Sequence, residues 1–498
     1  MNIKHIYIAL ALTLIFGSCS DKLELDPTDA VSDIEIFKTT TGVETVVNGT
    51  WGYLNDTYFT YANPGYSTVM RTSDAMGNDV AVTTKYGYRD PYAFTDLNNK
   101  TATRVRAIWT ILYKVIDNAN NVIARVDQAE GTQQEKDILK GQAKTLRAFA
   151  YLNLATYYQF SYLKDKTALS VPIYTEPSTI ETEGKPKASL EEVYTLVKSD
   201  LIQANDLLKD YVRDSSQKYK IDQHVINGLL ARTYLNTGEW EKAAQTAKLA
   251  RDGYELMTAA DYQSGFNDIQ NSEWIWGHIQ TTEQNVASYT FHYLDVSSSG
   301  SYYYSFMADP YFKDLFDEQD IRSTLFEWDG EDGREGFLRY KKFKFKSNLI
   351  GDIVYMRSAE MILIEAEGYA RSGNTEKAIA ALNTLRTARN ASLFNPGAGK
   401  VILDEILLER RKELWGEGFA LSDILRTQAK VHRKEYKKAD GSSIQVTVTK
   451  SDGTKKQVAA QGHRVVKFPD GSDFIENSRY YIFVVPQLEE QQNPNLLK

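Results

Sequence analysis

The sequence is poor in cysteine, histidine and proline. Cys19 is the only cysteine among 498 residues, which excludes an internal disulfide, a cysteine-based zinc site and an iron–sulfur cluster. The 11 prolines leave room for long, uninterrupted helices. A net charge of −8 provides no basic excess that would attract nucleic acid. No apolar run approaches the roughly 20 residues that a membrane-spanning helix needs.

Catalytic motifs are also missing from the sequence. It contains no H-E-x-x-H, G-x-S-x-G, Walker A or G-x-G-x-x-G pattern,. The six histidines are scattered, so we expect no metal site and no cofactor. Acidic residues are plentiful, but nothing in the sequence positions a pair of carboxylates as a glycosidase requires. These absences favour a binding protein over an enzyme.

The amino terminus predicts export and a lipid anchor. Lys4 precedes an eleven-residue apolar run over residues 6–16, which is the length of a secretory core region,. Gly17 and Ser18 then stand directly before Cys19, as in a bacterial lipoprotein signal. We interpret residues 1–18 as a lipoprotein signal peptide and residues 19–33 as a lipidated Cys19 with a polar tether. A plain signal peptide followed by a chance cysteine is the alternative.

Most of the remaining chain has the apolar period of helices. We expect a single domain over residues 34–498, with helix pairs around 101–163, 188–251 and 355–390. Two segments repeat one pattern, A-x-x-Y-x-x-x-G-x-x-E-K-A, beginning at Ala231 and at Ala366. This helix–Gly turn–helix pattern is typical of tetratricopeptide-like pairs. Long insertions without helical period are predicted at 53–99, 271–345 and 432–475.

Two regions of the insertions carry strand-like patterns. Trp274-Ile-Trp276 is a short apolar run, and Ile444-Gln-Val446-Thr-Val448 alternates before a Ser-Asp-Gly-Thr turn, which predicts a hairpin,. The segment from Tyr480 to the end is predicted to be a strand followed by coil.

Several blocks of the sequence, taken in order, resemble one known family. They include Asn271-Ser-Glu273, Arg357-Ser-Ala-Glu360, Glu409-Arg-Arg411-Lys-Glu413-Leu-Trp-Gly416-Glu417-Gly418, Asp423-Ile-Leu-Arg426 and Pro486-x-x-Glu489. With the lipoprotein signal, these blocks resemble the SusD/RagB family of outer-membrane nutrient-binding lipoproteins. Ala420 is a departure, because the family often has Arg there. We interpret the charged block over residues 409–426 as ion pairs that orient helices, not as a ligand site.

The resemblance implies a mostly α fold of tetratricopeptide-like helix pairs with long loop insertions and small β-hairpins. It also implies a protein without catalytic activity, lipid-anchored in the outer membrane of a Gram-negative bacterium and facing the cell exterior. Such a protein captures an oligosaccharide or polysaccharide and delivers it to a SusC-like TonB-dependent transporter. A peptide-capture lid on a similar transporter is the alternative.

Aromatic loops are the predicted ligand-binding regions. Tyrosine, present 32 times, has a flat apolar face that suits a sugar ring and a hydroxyl that tolerates water. The candidate residues fall in two loops and one isolated position: Tyr86, Tyr88, Arg89, Asp90 and Tyr92; Tyr293, Tyr302, Tyr303 and Tyr304; and Trp328. Even spacing suggests that Tyr86, Tyr88 and Tyr92 share one strand face. The alternative is that these rings pack the loops onto the helices.

Overall fold

The structure is a computed structural model that describes residues 33–84, 87–282, 289–346, 348–398 and 401–496. The predicted signal peptide, Cys19, the tether up to residue 32 and Tyr86 lie outside the described residues. Along the described chain no helix is long and apolar enough to cross a membrane.

Helices dominate the described chain. In chain order they are α1 (Asp33–Ile36), α2 (Thr40–Asn55), α3 (Ser67–Ala75), α4 (Arg89–Tyr92), α5 (Thr103–Arg125), α6 (Gln133–Tyr157), α7 (Leu190–Leu207), α8 (Gln223–Thr237), α9 (Trp240–Ala250), α10 (Ala259–Gln263), α11 (Tyr289–Leu294), α12 (Pro310–Lys313), α13 (Ser358–Arg371), α14 (Thr375–Ala388), α15 (Ile402–Glu413), α16 (Ala420–Arg426) and α17 (Gln487–Gln492). The mostly α class predicted from the sequence is confirmed.

Local sequence explains where the long helices begin. Thr132 and Glu135 form a reciprocal capping box at the start of α6, and Ser189 and Glu192 form the same box at α7. Each box gives partners to backbone N–H groups that the first helical turn leaves unpaired. Gly238 closes α8 with a φ of 80°, a left-handed conformation that glycine adopts without steric cost.

The two repeat copies are neighbours in space although they are distant in sequence. Helix α9 of the first copy packs against α13 of the second. The approach is close at Gly368, where a Cβ atom would lie 2.5 Å from the carbonyl oxygen of Trp240. The insertion between α9 and α13 therefore does not separate the two helix pairs. They pack directly on each other.

Within the described residues, eight short strands form three small sheets. They are β1 (Val80–Val82), β2 (Trp274–His278), β3 (Phe306–Ala308), β4 (Phe326–Trp328), β5 (Leu338–Tyr340), β6 (Ile353–Arg357), β7 (Gln445–Thr449) and β8 (Lys455–Ala459). The largest sheet has the order β1-β3-β5-β4, with Ala308 opposite both Val80 and Leu338. It joins the first and second insertions, because β1 belongs to one and β3–β5 to the other.

The remaining strand predictions have mixed outcomes. The strand at Trp274 is confirmed as β2, and the predicted hairpin is confirmed as β7 and β8. The predicted strand from Tyr480 is wrong. That region holds a 3₁₀ turn over Arg479–Tyr481 and the helix α17. The physical reason is that this segment bonds to the end of α6 and to a loop, since Phe483 donates to the carbonyl of Tyr157 and Val484 donates to the carbonyl of Leu97.

A buried ion network ties the second insertion to the helices. Its twelve members in the described chain are Glu273, Asp320, Arg322, Lys342, Arg357, Arg386, Arg389, Glu405, Glu409, Lys412, Glu413 and Glu417, and all of them are buried. Arg357 on β6 and Arg389 after α14 both contact Glu413 at the end of α15. The prediction that the 409–426 block forms ion pairs is confirmed, since Glu413 pairs with both Arg357 and Arg389.

Candidate functional site

Tyrosines from two separate loops form one stacked cluster near the surface. Tyr61 stacks on Tyr303 with ring centroids 5.0 Å apart and planes 16° apart. Tyr289 lies 6.3 Å from both rings. Tyr302 is 64% exposed and Tyr61 is 37% exposed. We name the four residues Tyr61, Tyr289, Tyr302 and Tyr303 the tyrosine surface.

A second, buried layer of rings supports the tyrosine surface. Tyr293 stacks under Tyr303 at 4.6 Å, and Tyr88 meets Tyr293 edge to face at 4.8 Å. Both supporting rings are fully buried. Gly87 has a φ of +88°, and a Cβ atom there would lie 2.7 Å from the Tyr293 hydroxyl. Glycine at 87 is therefore what lets the first loop close over the second.

Arg104 holds the two arms of the first insertion together beneath this surface. It lies in the first turn of α5 and is buried. Its Nη1 donates to the carbonyl of Ala62 at 3.0 Å, its Nη2 donates to the carbonyl of Gly87, and its Nε donates to Asp96 at 2.9 Å. The guanidinium also lies 4.4 Å from the centre of the Tyr88 ring. One side chain thus fixes the backbone beside Tyr61 and beside Tyr88.

His292 shapes the loop that presents Tyr302. Its Nδ1 accepts the Tyr302 N–H at 3.2 Å, and its ring stacks on Tyr302 at 4.3 Å. The carbonyl of His292 accepts the N–H groups of Tyr303 and Tyr304. Burial lowers the pKa of His292 to about 4, although Asp295 opposes this shift. The imidazole is therefore neutral at pH 7, and its Nδ1 remains free to accept.

The structure divides the sequence-predicted site residues between surface and core. Tyr302 is exposed, Tyr303 and Tyr304 are half-buried, and Arg89 and Asp90 form an exposed ion pair at 3.3 Å. Tyr88, Tyr92 and Tyr293 are buried. We expected these three rings to be exposed to ligand. In the structure neighbouring side chains cover all three.

The predicted strand face in the first loop is wrong. Arg89–Tyr92 is one turn of helix, so Tyr88 and Tyr92 do not alternate as on a strand, and Tyr86 lies outside the described residues. Tyr92 instead faces the interior, where its hydroxyl is 3.0 Å from Nδ1 of His463. The guanidinium of Arg433 lies 4.3 Å from the centre of its ring.

Trp328 belongs to a different aromatic group. It is half-buried on β4 and lies 6.2 Å from Tyr436, which in turn meets Tyr311 at 4.9 Å. The Nζ of Lys434 lies 3.7 Å from the centre of the Tyr311 ring. Tyr304 is likewise not part of the tyrosine surface. The guanidinium of Arg334 lies 3.8 Å from the centre of its ring.

Sequence reasoning missed Tyr61, Tyr289 and Arg104. Tyr61 lies in the first insertion, at residues 53–99, and nothing in the local pattern distinguishes it from the other tyrosines there. The Y-x-N-P-G run at residues 61–65 was an available signal, because Pro and Gly indicate an exposed turn,. Arg104 carried no such signal, since an arginine in a helix usually faces water.

Comparisons with known proteins agree with this architecture. Residues 28–235 match the family described as "Starch-binding associating with outer membrane", and residues 336–498 match the "SusD family". The crystal structure of a SusD-like carbohydrate binding protein from Bacteroides vulgatus is 43% identical, with a TM-score of 0.86 over 92% of this chain and 97% of that one. This chain therefore belongs to the SusD/RagB family.

More distant relatives support the same fold. A putative sugar binding protein from Bacteroides vulgatus superposes with a TM-score of 0.75 at 24% identity, over 92% of this chain and 98% of that one. A SusD-like protein of Formosa agariphila is 24% identical over 86% of this chain and 92% of its own length. Members of the family are generally carbohydrate-binding proteins associated with the outer membrane.

Proposed function

We propose that this protein captures an oligosaccharide on the tyrosine surface without catalysing a reaction. The observation that carries this proposal is the stacked pair of Tyr61 and Tyr303 beside the exposed Tyr302. Flat rings held in place by a buried second layer offer contact area to the C–H face of a pyranose at little entropic cost. The 43% identical relative that is described as carbohydrate-binding supports the same ligand class.

The location of the protein and its partner form a second proposal. We propose that Cys19 carries the lipid anchor, that the protein faces outward from a Gram-negative outer membrane, and that it delivers its ligand to a SusC-like TonB-dependent transporter. A peptide ligand is the second candidate for the capture step. A peptide site needs backbone hydrogen-bonding grooves, whereas the tyrosine surface exposes the rings of Tyr302 and Tyr61, which favours a glycan.

Removing two outer rings tests the capture site. We expect the double variant Tyr61→Ala/Tyr302→Ala to lose at least tenfold in affinity for the glycan that the wild type binds. Each stacking ring contributes on the order of 1 kcal/mol to such contacts, and tenfold corresponds to about 1.4 kcal/mol. A glycan array first identifies the ligand, and affinity gel electrophoresis followed by titration calorimetry then measures the change.

The matched control is Tyr369→Ala. Tyr369 is half-buried on α13, where it packs on another helix pair. We expect this control to bind as the wild type does. Wild-type affinity in a folded double variant would refute the tyrosine surface as the capture site, and binding of peptides but not of glycans would favour the second candidate.

Cys19→Ala tests the anchor separately. Acyl chains contribute about 0.8 kcal/mol per buried CH₂ group, so the wild-type protein should remain in the membrane fraction. We expect the variant to appear in the soluble fraction after cell fractionation. Retention of the variant at wild-type levels would contradict lipidation of Cys19.

A further inference from the structure

A cavity with a different lining from the tyrosine surface lies between α15 and α16. Its volume is about 420 Å³, within the range of small-ligand pockets. One face of α15 forms a wall, with side chains at positions 404, 407, 408 and 411, which are spaced as the neighbours on one helical face. Residues 78–80 and 427–432 form the opposite side.

The middle of the cavity is apolar. Leu407 and Leu408 are half-buried and face it, and Leu414 and Ile424 are buried at its base. Leucine side chains left partly open to water on one helix are stabilised when an apolar group covers them. The wall therefore favours an aliphatic ligand group.

One end of the cavity is cationic. Arg411 forms a bidentate pair with Asp79, with contacts of 2.6 and 3.0 Å, yet its side chain remains 41% exposed. Lys430 and His432 are exposed at the same end, and in the described part of the chain Lys430 has no hydrogen bond or ion pair. Partial burial and the nearby charges of Lys430 and Arg411 lower the pKa of His432. Because no carboxylate pairs with Lys430 in the described residues, its positive charge is available to a bound anion.

The other end of the cavity is acidic. Asp404 is exposed in the first turn of α15, and within the described ranges it too has no ion-pair partner. Seven residues separate Asp404 from Arg411, a rise of about 10 Å along the helix. A bound anion is repelled at the Asp404 end and attracted at the Lys430 end, so the cavity can orient an elongated ligand.

We propose that this cavity binds a small amphipathic carboxylate, with its aliphatic part on Leu407 and Leu408 and its carboxylate at Lys430 and Arg411. A medium-chain fatty acid and the carboxyl-terminal aliphatic residue of a peptide share this chemistry. The site is independent of sugar capture on the tyrosine surface.

Two carboxylates and their neutral counterparts test the proposal. Titration calorimetry of the full chain uses octanoate and N-acetylleucine as probes, with octanol and N-acetylleucine amide as their uncharged analogues. We expect each uncharged analogue to bind at least tenfold more weakly than the carboxylate that it matches. Lys430→Glu should weaken carboxylate binding by at least tenfold, since it replaces attraction by repulsion at the same position.

Lys455→Glu is the control, because Lys455 is an exposed lysine on β8, outside the cavity lining. It should leave carboxylate binding unchanged. Tight binding of octanoate alone assigns the site to fatty acids, and binding of N-acetylleucine assigns it to peptide termini. The proposal is overturned if neither carboxylate binds or if the uncharged analogues bind equally well. It is also overturned if Lys430→Glu binds the carboxylates as tightly as the wild type does.

Discussion

Replacing Glu413 by glutamine is expected to destabilise the protein by about 3–5 kcal/mol, the usual cost of removing one member of a buried ion pair. Glu413 accepts from Arg357 at 2.7 Å, from Arg389 at 2.9 Å and from Arg322 at 2.8 Å. All four side chains are fully or almost fully buried. Glutamine keeps the shape but leaves three guanidinium groups around a neutral amide.

Charge balance explains why the loss is large. The buried ion network defined above contains six cationic and six carboxylate side chains. Glu413→Gln leaves one net positive charge in a region with little access to water, where charges are poorly solvated. With an unfolding entropy of about 2.1 cal/mol/K for each residue, we expect the melting temperature to fall by roughly 3–5 °C.

The pH dependence of this effect has a defined sign. Burial alone would raise the pKa of Glu413, but Arg389, Arg357 and Arg322 hold that pKa well below the usual value of 4.5. The unfolded chain takes up the proton first as the pH falls, so the stabilisation is present above about pH 4.5 and diminishes below it. The difference in melting temperature between wild type and Glu413→Gln should therefore narrow in acid.

An exposed ion pair provides the control. Lys456 and Glu335 meet at 3.1 Å with side chains that are 51% and 28% exposed. Pairs of this kind contribute about 0–1 kcal/mol, so Lys456→Gln should melt within about 1 °C of the wild type. Equal melting temperatures for Glu413→Gln and the wild type would show that the network does not hold the insertion in place.

The helical frame was predictable because its signals are local. The boxes at Thr132 and Ser189 and the apolar period of α5 to α7 are contained within a few turns of sequence. The packing of α9 on α13 was not predictable. Nothing in either helix indicates that about a hundred intervening residues return to the same place. That return is fixed by long-range pairs such as Arg251 with Glu365 and Arg232 with Glu360.

The candidate site was predictable in composition but not in orientation. The aromatic loops were identified from residue type, and Tyr302 is indeed exposed. Whether a given tyrosine faces water depends on what the other loop places above it. Tyr88 is covered by Tyr293, and Tyr61 stacks on Tyr303. These are contacts between residues more than 200 positions apart, which one sequence does not reveal.

Replacing Arg104 by methionine is expected to reduce glycan affinity by at least tenfold, although Arg104 does not belong to the tyrosine surface. Methionine cannot donate to the carbonyls of Ala62 and Gly87, which neighbour Tyr61 and Tyr88 in sequence and which Arg104 holds together. The variant also leaves the largely buried carboxylate of Asp96 without its cation. We therefore expect a loss of stability of about 3–5 kcal/mol in addition to weaker binding.

Adding Asp96→Asn to Arg104→Met separates the two effects. The second change removes the buried charge, so most of the stability should return, as measured by the melting temperature. The two carbonyls still lack their donor, so the loop that carries Tyr61 remains unfixed and the calorimetric affinity should stay low. Lys114→Met, an exposed substitution on the same helix, should change neither quantity. If affinity recovers together with stability in the double variant, Arg104 acts only on the fold; if affinity stays low, Arg104 positions the tyrosine surface.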